Sequence, residues 1–421
     1  MKVLTIVSDL GYRGTQRAAQ NYSIALAGRG HQVVVLALNA GGSREEFLRQ
    51  KGIHTVWIGA NRLQQAMEEA ARFKADVIHI HRPGMHDPLW GLVLQKLKVP
   101  GVRVLETNVF GRVDYSADAS LIDVHLQISR WCLYRWRQWL GRRKQVGVYL
   151  PYPVDTDNFP VMEATIRHES RKSFDLPPAG IVCGRIGKWT PQIFHAFESL
   201  VRRRPDALLL NVLDHTDARD FAVNLSAEVR SRIVSIPKLR GDSALARFYA
   251  SLDCLLQVSP NGESFGMVLA EAMACGTPVV TASTPHRDNA QVEVVKHNQG
   301  GVVAGSAARL GEALIAFCEN TSLQRACSSQ ARHLITERFE SNDISRKLEA
   351  IAKHALASKD REDLADRLKE DDNIETDIAK TEVEESLKNT FGKYSNMELM
   401  LMNLVHNPLI YRFYSHLKHK Y

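Results

Sequence analysis

The chain has 421 residues, of which 44% are hydrophobic, and this length suits two globular domains with sizeable cores and some additional sequence. No apolar stretch reaches the length of a transmembrane helix and the chain opens directly on a predicted strand, which argues against a spanning or secreted protein. The net charge of +7 is uneven: residues 1–150 hold 21 Lys and Arg against 11 Asp and Glu, and residues 360–385 hold 4 against 12. The basic first part favours an anionic partner, such as a membrane surface or a phosphate-bearing substrate, with ordinary solubility as the alternative.

The six cysteines are scattered along the chain and show no paired short spacing. Neither a zinc site nor a disulfide framework is therefore predicted, and a reducing cytosol fits this cysteine usage. We expect a cytoplasmic protein that either stays in solution or lies peripherally on the inner face of the membrane.

Short apolar runs alternate with helical patterns through the first 150 residues. The runs are VLTIV, QVVVLAL, ADVIHIH, GVRVLE and DVHLQIS. Continuous Val, Ile and Leu runs separated by amphipathic helices predict a parallel sheet that is covered on both faces. Since ligands bind at the carboxyl ends of such strands, residues 8–17, 79–85 and 106–112 are expected around one crevice.

Two features of this region bear on its chemistry. The first loop, DLGYRGTQRAAQ, contains Gly11 and Gly14 but not the GxGxxG pattern of dinucleotide enzymes, which argues against an oxidoreductase. His79 and His81 alternate along a strand, so both side chains point to one face. A metal site there would need a third ligand, and the sequence fixes none nearby in space.

Residues 130–144, RWCLYRWRQWLGRRK, combine three tryptophans with six basic residues. The helical period places Trp136 and Trp139 on one arc, with Arg135 intruding on it. This face is predicted to pack on the sheet, and the alternative is a helix that lies in a membrane interface beside anionic lipid.

The composition changes near residue 150, where LPYPVDTDNFP is proline-rich and has no helical period. Strands and helices then alternate again through GIVCGRIG, ALLLNVL, SRIVSIP, CLLQVS, TPVVTA and GGVVA, which predicts a second doubly wound sheet. The predicted segments are a first domain (1–150), a linker (151–170), a second domain (171–340), a helix crossing back to the first domain (341–357) and a charged helical extension (358–421).

The stretch from Ser259 to Val280, SPNGESFGMVLAEAMACGTPVV, combines a strand exit, a glycine-bearing loop, a short helix and the next strand. Its glycines, Gly262 and Gly266, let the backbone approach a ligand, and a helix that begins near Phe265 presents its first amides to an anion. Glu263 lies in the loop and Glu271 lies within the first two helical turns. A strand–helix–strand unit with two solvated acids is the simpler alternative.

This stretch resembles the donor-binding segment of the family 4 retaining glycosyltransferases, in its two glutamates separated by seven residues, its glycines and its closing GTPVV. The resemblance implies an α/β protein of the GT-B fold, with two doubly wound Rossmann-like domains facing a central cleft and an extra C-terminal helical extension here. It also implies a nucleotide-sugar donor, with no metal, no other cofactor and no nucleic acid partner.

The resemblance assigns roles to individual residues. Glu271 would hold the ribose hydroxyls and Glu263 the donor sugar, while Arg185 and Lys188 of GRIGKW would neutralise the diphosphate. The remaining donor-side residues come from the helix N-terminus, the nucleobase loop SIPKLRG and the first glycine turn. They are Ser264, Phe265, Gly266, Met267, Lys238, Leu239 and Gly14.

The first domain departs from the family pattern. Many members carry a cleft histidine where this chain reads VLETNVFGR, so Glu106 is the nearest substitute. A carboxylate there would bind a sugar hydroxyl or act as a base, or it would only bond to loop amides. His79, His81 and Asn108 are the acceptor-side candidates.

These features predict a retaining glycosyltransferase that moves a sugar from a UDP- or GDP-linked donor to a glycan or lipid-linked acceptor. Synthesis of envelope polysaccharide or lipopolysaccharide suits the basic first part of the chain. The alternatives are a nucleotide-sugar epimerase of the same fold and a catalytically silent nucleotide-sugar-binding partner protein.

Overall fold

The structure is a computed structural model that describes residues 1–58, 63–161, 164–187, 190–212, 225–392, 394 and 396–418. It divides into two compact units. The first unit contains Met1–Pro153, Ser341–Lys380 and Leu404–Tyr421, and the second contains Val154–Glu340 and Thr381–Asn403. Each unit is therefore assembled from separate stretches of the chain.

The described residues form thirteen strands. They are β1 (Lys2–Asp9), β2 (Gln32–Ala40), β3 (His54–Trp57), β4 (Val77–Arg82), β5 (Arg103–Asn108), β6 (Val124–Gln127), β7 (Gly147–Tyr149), β8 (Val182–Arg185), β9 (Leu208–Val212), β10 (Ile233–Ile236), β11 (Cys254–Leu256), β12 (Val279–Ala282) and β13 (Gly301–Ala304). The first seven belong to the first unit and the last six to the second.

Eighteen α-helices are described. They are α1 (Gly14–Gly28), α2 (Arg44–Gln50), α3 (Leu63–Arg72), α4 (Pro88–Leu97), α5 (Arg130–Leu140), α6 (Ala164–Ser173), α7 (Pro191–Val201), α8 (Ala227–Ser231), α9 (Asp242–Ala250), α10 (Met267–Ala274), α11 (Ala290–Val295), α12 (Leu310–Glu319), α13 (Thr321–Phe339), α14 (Ser341–Ala357), α15 (Arg361–Glu370), α16 (Lys380–Lys388), α17 (Asn396–Val405) and α18 (Pro408–Lys418). Short 3-10 helices cover Ala117–Leu121 and Ala307–Arg309.

Both sheets are parallel throughout and share one winding. The strand order is β3-β2-β1-β4-β5-β6-β7 in the first unit and β10-β9-β8-β11-β12-β13 in the second. Continuous apolar runs produce this arrangement because a strand covered by helices on both faces has no solvated side. All six residues of β4 are buried, for example. The prediction of two doubly wound α/β sheets is confirmed.

Helix α14 completes the core of the first unit. Ile344, Leu348 and Ile351 are buried in the same apolar cluster as the strand residues of the first sheet. At the surface, the Arg29 guanidinium lies 2.6 Å from the Glu349 carboxylate, which joins α14 to the end of α1. The chain therefore returns to its first unit immediately after residue 340.

Residues 358–421 are divided between the two units. In the first unit, Leu364 and Leu368 of α15 are buried in the core, and the Tyr149 N–H donates to the Glu375 carbonyl across 2.8 Å. In the second unit, the Phe391 N–H donates to the Val303 carbonyl, also across 2.8 Å. The extension is thus continuous with both sheets rather than a separate body.

The tryptophan-rich helix α5 faces the interior of the first unit. Trp131, Trp136 and Trp139 are no more than 4% exposed, which confirms the predicted packing. The Trp139 ring stacks on Tyr411 of α18 with centroids 3.8 Å apart, and Arg135 lies over the same indole at 4.7 Å. Among the residues that the structure describes, no helix is long and apolar enough to cross a membrane.

Candidate functional site

The second sheet reverses its winding between β8 and β11, which are neighbours in the sheet but not in sequence. Loops that leave two such strands at their carboxyl ends diverge and open a crevice, which is where doubly wound sheets bind ligands. Here β8 ends at Arg185, and β11 leads into the glycine-bearing loop at residues 259–266. The Ile186 N–H lies 3.4 Å from the Gln257 side-chain carbonyl and connects the two strand ends.

Arg185 is fully buried, which is unusual for an arginine. Its Nη1 donates to Asn211 Oδ1 at 3.1 Å, and its Nη2 donates to the Gly187 carbonyl. These two acceptors are carbonyl oxygens, and they fix the guanidinium at the carboxyl end of β8. The second predicted cation, Lys188, lies outside the described residues.

The loop at residues 259–266 is held by the segment that precedes and begins α11. The Ala290 N–H donates to the Glu263 carbonyl at 2.8 Å, and the Glu263 N–H donates to Gln291 Oε1 at 3.1 Å. Ser264 Oγ donates to Asp288 Oδ2 at 3.0 Å. Main-chain and side-chain contacts therefore fix the loop in one conformation, with the Glu263 side chain half-buried.

Gly262 is required by this packing. Its φ is +71°, and a Cβ added there would lie 1.6 Å from the Asp288 carbonyl oxygen and 2.4 Å from Thr284 Oγ1. The backbone strain and the collision act together, because the positive φ disfavours a side chain and the colliding Asp288 atom belongs to the main chain.

We expect Gly262→Ala to lower the free energy of unfolding of the second unit by about 2–5 kcal/mol, as the sum of backbone strain and overpacking. Gly241→Ala is the matched control, since Gly241 has a φ of +83° in the same unit and no atom within 4 Å of the added Cβ. The control should cost only about 1–2 kcal/mol. If calorimetry shows the same loss of unfolding free energy for both variants, the loop must shift enough to avoid the collision with Asp288.

Helix α10 begins at Met267, two residues after the predicted start, with Gly266 as its N-cap at a φ of +93°. The first amides of a helix have no acceptor inside it and carry the positive end of the helix dipole. Ser264, Phe265, Gly266 and Met267 therefore lie where the loop delivers its N–H groups, and this terminus suits an anion.

Glu271 lies in the second turn of α10 and is 4% exposed. The Tyr249 hydroxyl, on α9, donates to its Oε2 at 3.1 Å. Tyr249 is itself fully buried, and its carbonyl accepts a 2.8 Å hydrogen bond from Thr277 Oγ1. The carboxylate of Glu271 is thus oriented by a rigid neighbour, as a binding group requires.

The other donor-side candidates lie at separate places. Lys238 is exposed and Leu239 is half-buried in the loop between β10 and α9. Gly14 is exposed and is the first residue of α1 in the first unit.

The predicted histidine pair lies on one face of β4, with ring centroids 4.3 Å apart, and both rings contact Tyr22 of α1. A 2.8 Å hydrogen bond joins His79 Nε2 to Thr107 Oγ1. Burial lowers the pKa of His79 to about 3, and burial together with the His79 charge lowers the pKa of His81 well below its ordinary value. Both histidines are therefore neutral and belong to the interior.

Glu106 belongs to a buried charge network. Arg82 Nε donates to its Oε1 at 2.5 Å, and His125 Nδ1 bonds its Oε2. The same guanidinium lies 3.0 Å from Asp114. Burial alone raises the pKa of Glu106, but the charges and hydrogen bonds of Arg82 and His125 outweigh it and lower the pKa below its ordinary value.

Asn108 closes the turn that follows β5. Its Nδ2 donates to the Arg112 carbonyl at 2.7 Å, and its Oδ1 accepts from the Arg112 N–H at 3.1 Å. It is fully buried, and Gly84 leaves it room, since a Cβ at Gly84 would lie 2.1 Å from Asn108 Oδ1. All three acceptor-side candidates are thus interior residues beneath the strand ends.

Residues 184–334, which contain Arg185, the loop at 259–266 and Glu271, match the family of glycosyl transferases group 1. The match lies within the second unit, which holds the buried Arg185 and the N-terminus of α10. The resemblance predicted for these residues is confirmed.

Curated relatives match this chain over part of their own length. A D-inositol 3-phosphate glycosyltransferase of Xylanimonas cellulosilytica is 36% identical over 148 residues, which are 32% of this chain and 34% of the relative. A phosphatidyl-myo-inositol mannosyltransferase of Mycobacterium tuberculosis is 30% identical over 209 residues, 44% of this chain and 50% of the relative. The chain spans a third to a half of the length of these two relatives.

Solved structures match the fold across both units. Anabaena Alr3699/HepE, in complex with UDP and glucose, has a TM-score of 0.67 at 16% identity, and the match covers 84% of this chain and 99% of that one. WaaG, a glycosyltransferase of lipopolysaccharide biosynthesis, has a TM-score of 0.57 at 17% identity over 83% of this chain and 99% of that one. These matches confirm the predicted GT-B type of fold.

The sequence does not identify the residues that hold Arg185, the loop at residues 259–266 and Glu271 in position. Asn211 lies on β9, Tyr249 on α9, and Asp288 and Gln291 in the segment that precedes and begins α11. Each acts through a contact that only the folded chain creates. No local motif marks them. Gln291 and Asp288 lie in a polar stretch before a short apolar run, which by itself suggests only a loop.

Proposed function

We propose that this protein is a retaining glycosyltransferase that uses a nucleotide-sugar donor and a glycan or lipid-linked acceptor. The observation that carries the proposal is the arrangement at the switch point of the second sheet. A buried cation ends β8, and a braced glycine loop leads into the N-terminus of α10. Two positive features at one crevice suit a diphosphate, and Glu271 is positioned to accept hydroxyl hydrogen bonds.

In the proposed mechanism, the sugar–phosphate bond breaks as negative charge develops on the departing nucleoside diphosphate. Arg185, Lys188 and the amides at residues 264–267 stabilise that charge, so the reaction needs no metal. Glu271 holds the ribose, Glu263 holds the donor sugar, and the loop with Lys238 and Leu239 holds the base. The acceptor hydroxyl attacks the face from which the diphosphate leaves, and the leaving phosphate takes its proton.

Acceptor binding is assigned to the first unit, with an indirect role for the predicted residues. His79 is hydrogen-bonded to Thr107, and Asn108 to the main chain of Arg112. The His81 ring packs against His79 and Tyr22. We therefore propose that these three residues position the turns after β4 and β5 instead of touching the sugar. Both Glu106 oxygens are already hydrogen-bonded, one to Arg82 and the other to His125. We therefore assign Glu106 a positioning role as well, in place of a direct catalytic one.

We propose UDP as the donor nucleotide and a phosphate-bearing acceptor. UDP is the nucleotide bound in the Anabaena structure, and the two curated relatives are named for inositol phosphate and phosphatidylinositol acceptors. The surplus of cations in residues 1–150 would attract such an acceptor, or the anionic membrane that carries it. A cytoplasmic, peripheral location and a role in envelope glycan synthesis follow from that choice.

Thermal unfolding in the presence of UDP, GDP and ADP tests the proposal. Ligand at a hundredfold excess over its Kd stabilises a protein by about 2.7 kcal/mol, and we expect this effect from UDP. Glu271→Ala should reduce the shift, because the ribose loses its hydrogen bonds. Glu312→Ala, at an exposed glutamate of α12, is the control and should leave the shift unchanged.

Two outcomes would contradict the transferase. A donor-only reaction that converts one nucleotide sugar into its epimer would indicate the epimerase. A nucleotide-dependent shift with neither transfer nor slow donor hydrolysis would indicate a silent binding protein. If none of the three nucleotides stabilises the protein, the proposed donor site is wrong.

A further inference from the structure

Three cysteines that are far apart in sequence meet in the core of the second unit. Cys183 comes from β8, Cys254 from β11 and Cys318 from α12, and their sulfur atoms all lie within 4.8 Å of one another. The first two stand opposite each other on neighbouring strands, with their sulfurs 3.7 Å apart. The even spread of cysteines along the sequence hides this cluster.

The spacing of the sulfurs is that of a metal–thiolate centre. A metal about 2.3 Å from each of three sulfurs holds them about 3.7–4.0 Å apart, in tetrahedral or trigonal geometry. The Cys183–Cys254 separation already has this value, and the third sulfur, within 4.8 Å of both, needs to approach by about 1 Å at most. Backbone pairing of β8 with β11 fixes the first two ligands before any ion arrives.

We propose that Cys183, Cys254 and Cys318 form a binding site for one thiophilic monovalent cation of the copper(I) class. Within the described chain, the cluster offers three sulfur ligands and neither a carboxylate nor an imidazole as a fourth. Structural zinc takes four protein ligands, so three buried thiols do not complete its coordination. Copper(I) prefers soft thiolate ligands, and three sulfurs can complete its coordination.

The surroundings suit such an ion. Cys183 and Cys254 are fully buried, and Cys318 is 4% exposed at the last turn of α12, so it is the ligand nearest to solvent. Asp253 and Arg204 both act electrostatically on Cys318, with opposite signs. Each thiol that ligates gives up its proton to solvent as the metal–sulfur bond forms.

The proposed metal centre is distinct from the candidate donor site, but both include residues of strand β8. Cys183 and Arg185 are two residues apart on β8, so their side chains project from the same face. The strand rise separates their Cα atoms by about 6.6 Å. A loaded centre would therefore stiffen the strand that carries the buried cation, and this consequence is independent of the proposed transferase activity.

The first test titrates the reduced full-length protein with copper(I) in competition with a chromophoric copper(I) chelator. We expect one ion per chain, with the affinity reduced by at least about tenfold in Cys183→Ala and in Cys318→Ala. Cys327→Ala is the matched control, because Cys327 is fully buried in the same apolar core but lies outside the cluster. Its affinity should equal that of the unmodified protein.

The second test needs no variant and so does not depend on their folding. X-ray absorption at the copper edge of the loaded protein should show three sulfur neighbours at about 2.3 Å. Failure of the unmodified protein to take copper(I) from the chelator, or a shell of nitrogen and oxygen neighbours, would overturn the proposal. An equal loss of affinity in Cys327→Ala would do the same.

Discussion

Arg185→Ala should lower the transfer rate by about 10²- to 10³-fold at saturating donor. This is the usual cost of removing one preorganised group that stabilises charge developing in a transition state. Arg185 suits that role because its fork is already fixed by Asn211 and by the Gly187 carbonyl. The guanidinium therefore needs no reorganisation when the diphosphate departs. Steady-state kinetics with the donor nucleotide sugar, at a temperature where the variant stays folded, would measure the loss.

Arg171→Ala is the control for Arg185→Ala. Arg171 is also a buried arginine of the second unit, but it pairs with Asp253 at 2.7 Å and bonds to the Ser251 carbonyl. Its loss should reduce stability and leave the rate constant of the folded enzyme within about twofold of the parent. If Arg185→Ala and Arg171→Ala reduce the rate equally, the effect of Arg185 is structural and the diphosphate role is excluded.

Glu106→Gln should lower the free energy of unfolding of the first unit by about 3–5 kcal/mol at pH 7. The substitution keeps the shape of the side chain but leaves Arg82 with Asp114 alone as its negative partner. Both Glu106 and Arg82 are at most 2% exposed, so water cannot solvate the Arg82 guanidinium after the Glu106 charge is lost. A charge removed from a buried network costs far more than one removed from the surface.

The pH dependence of this difference has a definite direction. The pKa of Glu106 lies lower in the folded protein than in the unfolded chain, because Arg82 and His125 outweigh burial. Its contribution is fully present above the unfolded pKa of about 4.3 and disappears as the pH falls through the folded pKa. The stability gap between the parent and Glu106→Gln should therefore narrow in acid.

Tryptophan fluorescence during urea unfolding suits the Glu106 experiment, since five of the six tryptophans lie in the first unit. Glu46→Gln is the control, because Glu46 forms an exposed ion pair with Arg49 and should contribute less than about 1 kcal/mol. A gap that stays constant from pH 7 into acid would show that the Glu106 charge is not the cause.

The sequence predicts those parts of the fold that depend on local pattern. Apolar runs locate most strands of both sheets, and the strand ends locate Arg185 and the loop that holds Glu263. The sequence does not predict which residues these side chains contact. Glu106 meets His125 because β5 pairs with β6 in one register, and it meets Arg82 from the strand on its other side. A one-residue change in the register of either strand pair would change those contacts, and no local sequence pattern determines the register.

The same reason explains the other omissions. Tyr249 reaches Glu271 because α9 packs beside α10, and the three cysteines meet because β8, β11 and α12 converge. Each contact joins elements far apart in the chain, so composition and spacing carry no trace of it. The sequence predicts that helix α10 begins near Phe265, but the helix begins at Met267. Gly266 adopts the left-handed conformation, which is not helical, so the first turn starts after it.

The C-terminal extension contacts a border strand of each sheet. β7 and β13 are the outermost strands on one side of their sheets, and such strands expose hydrogen-bonding groups to which a second chain can add. Here the Glu375 carbonyl accepts from the Tyr149 N–H, and Phe391 forms a parallel bridge with Ala304. The extension therefore caps one border of each sheet, while β3 and β10 form the opposite borders.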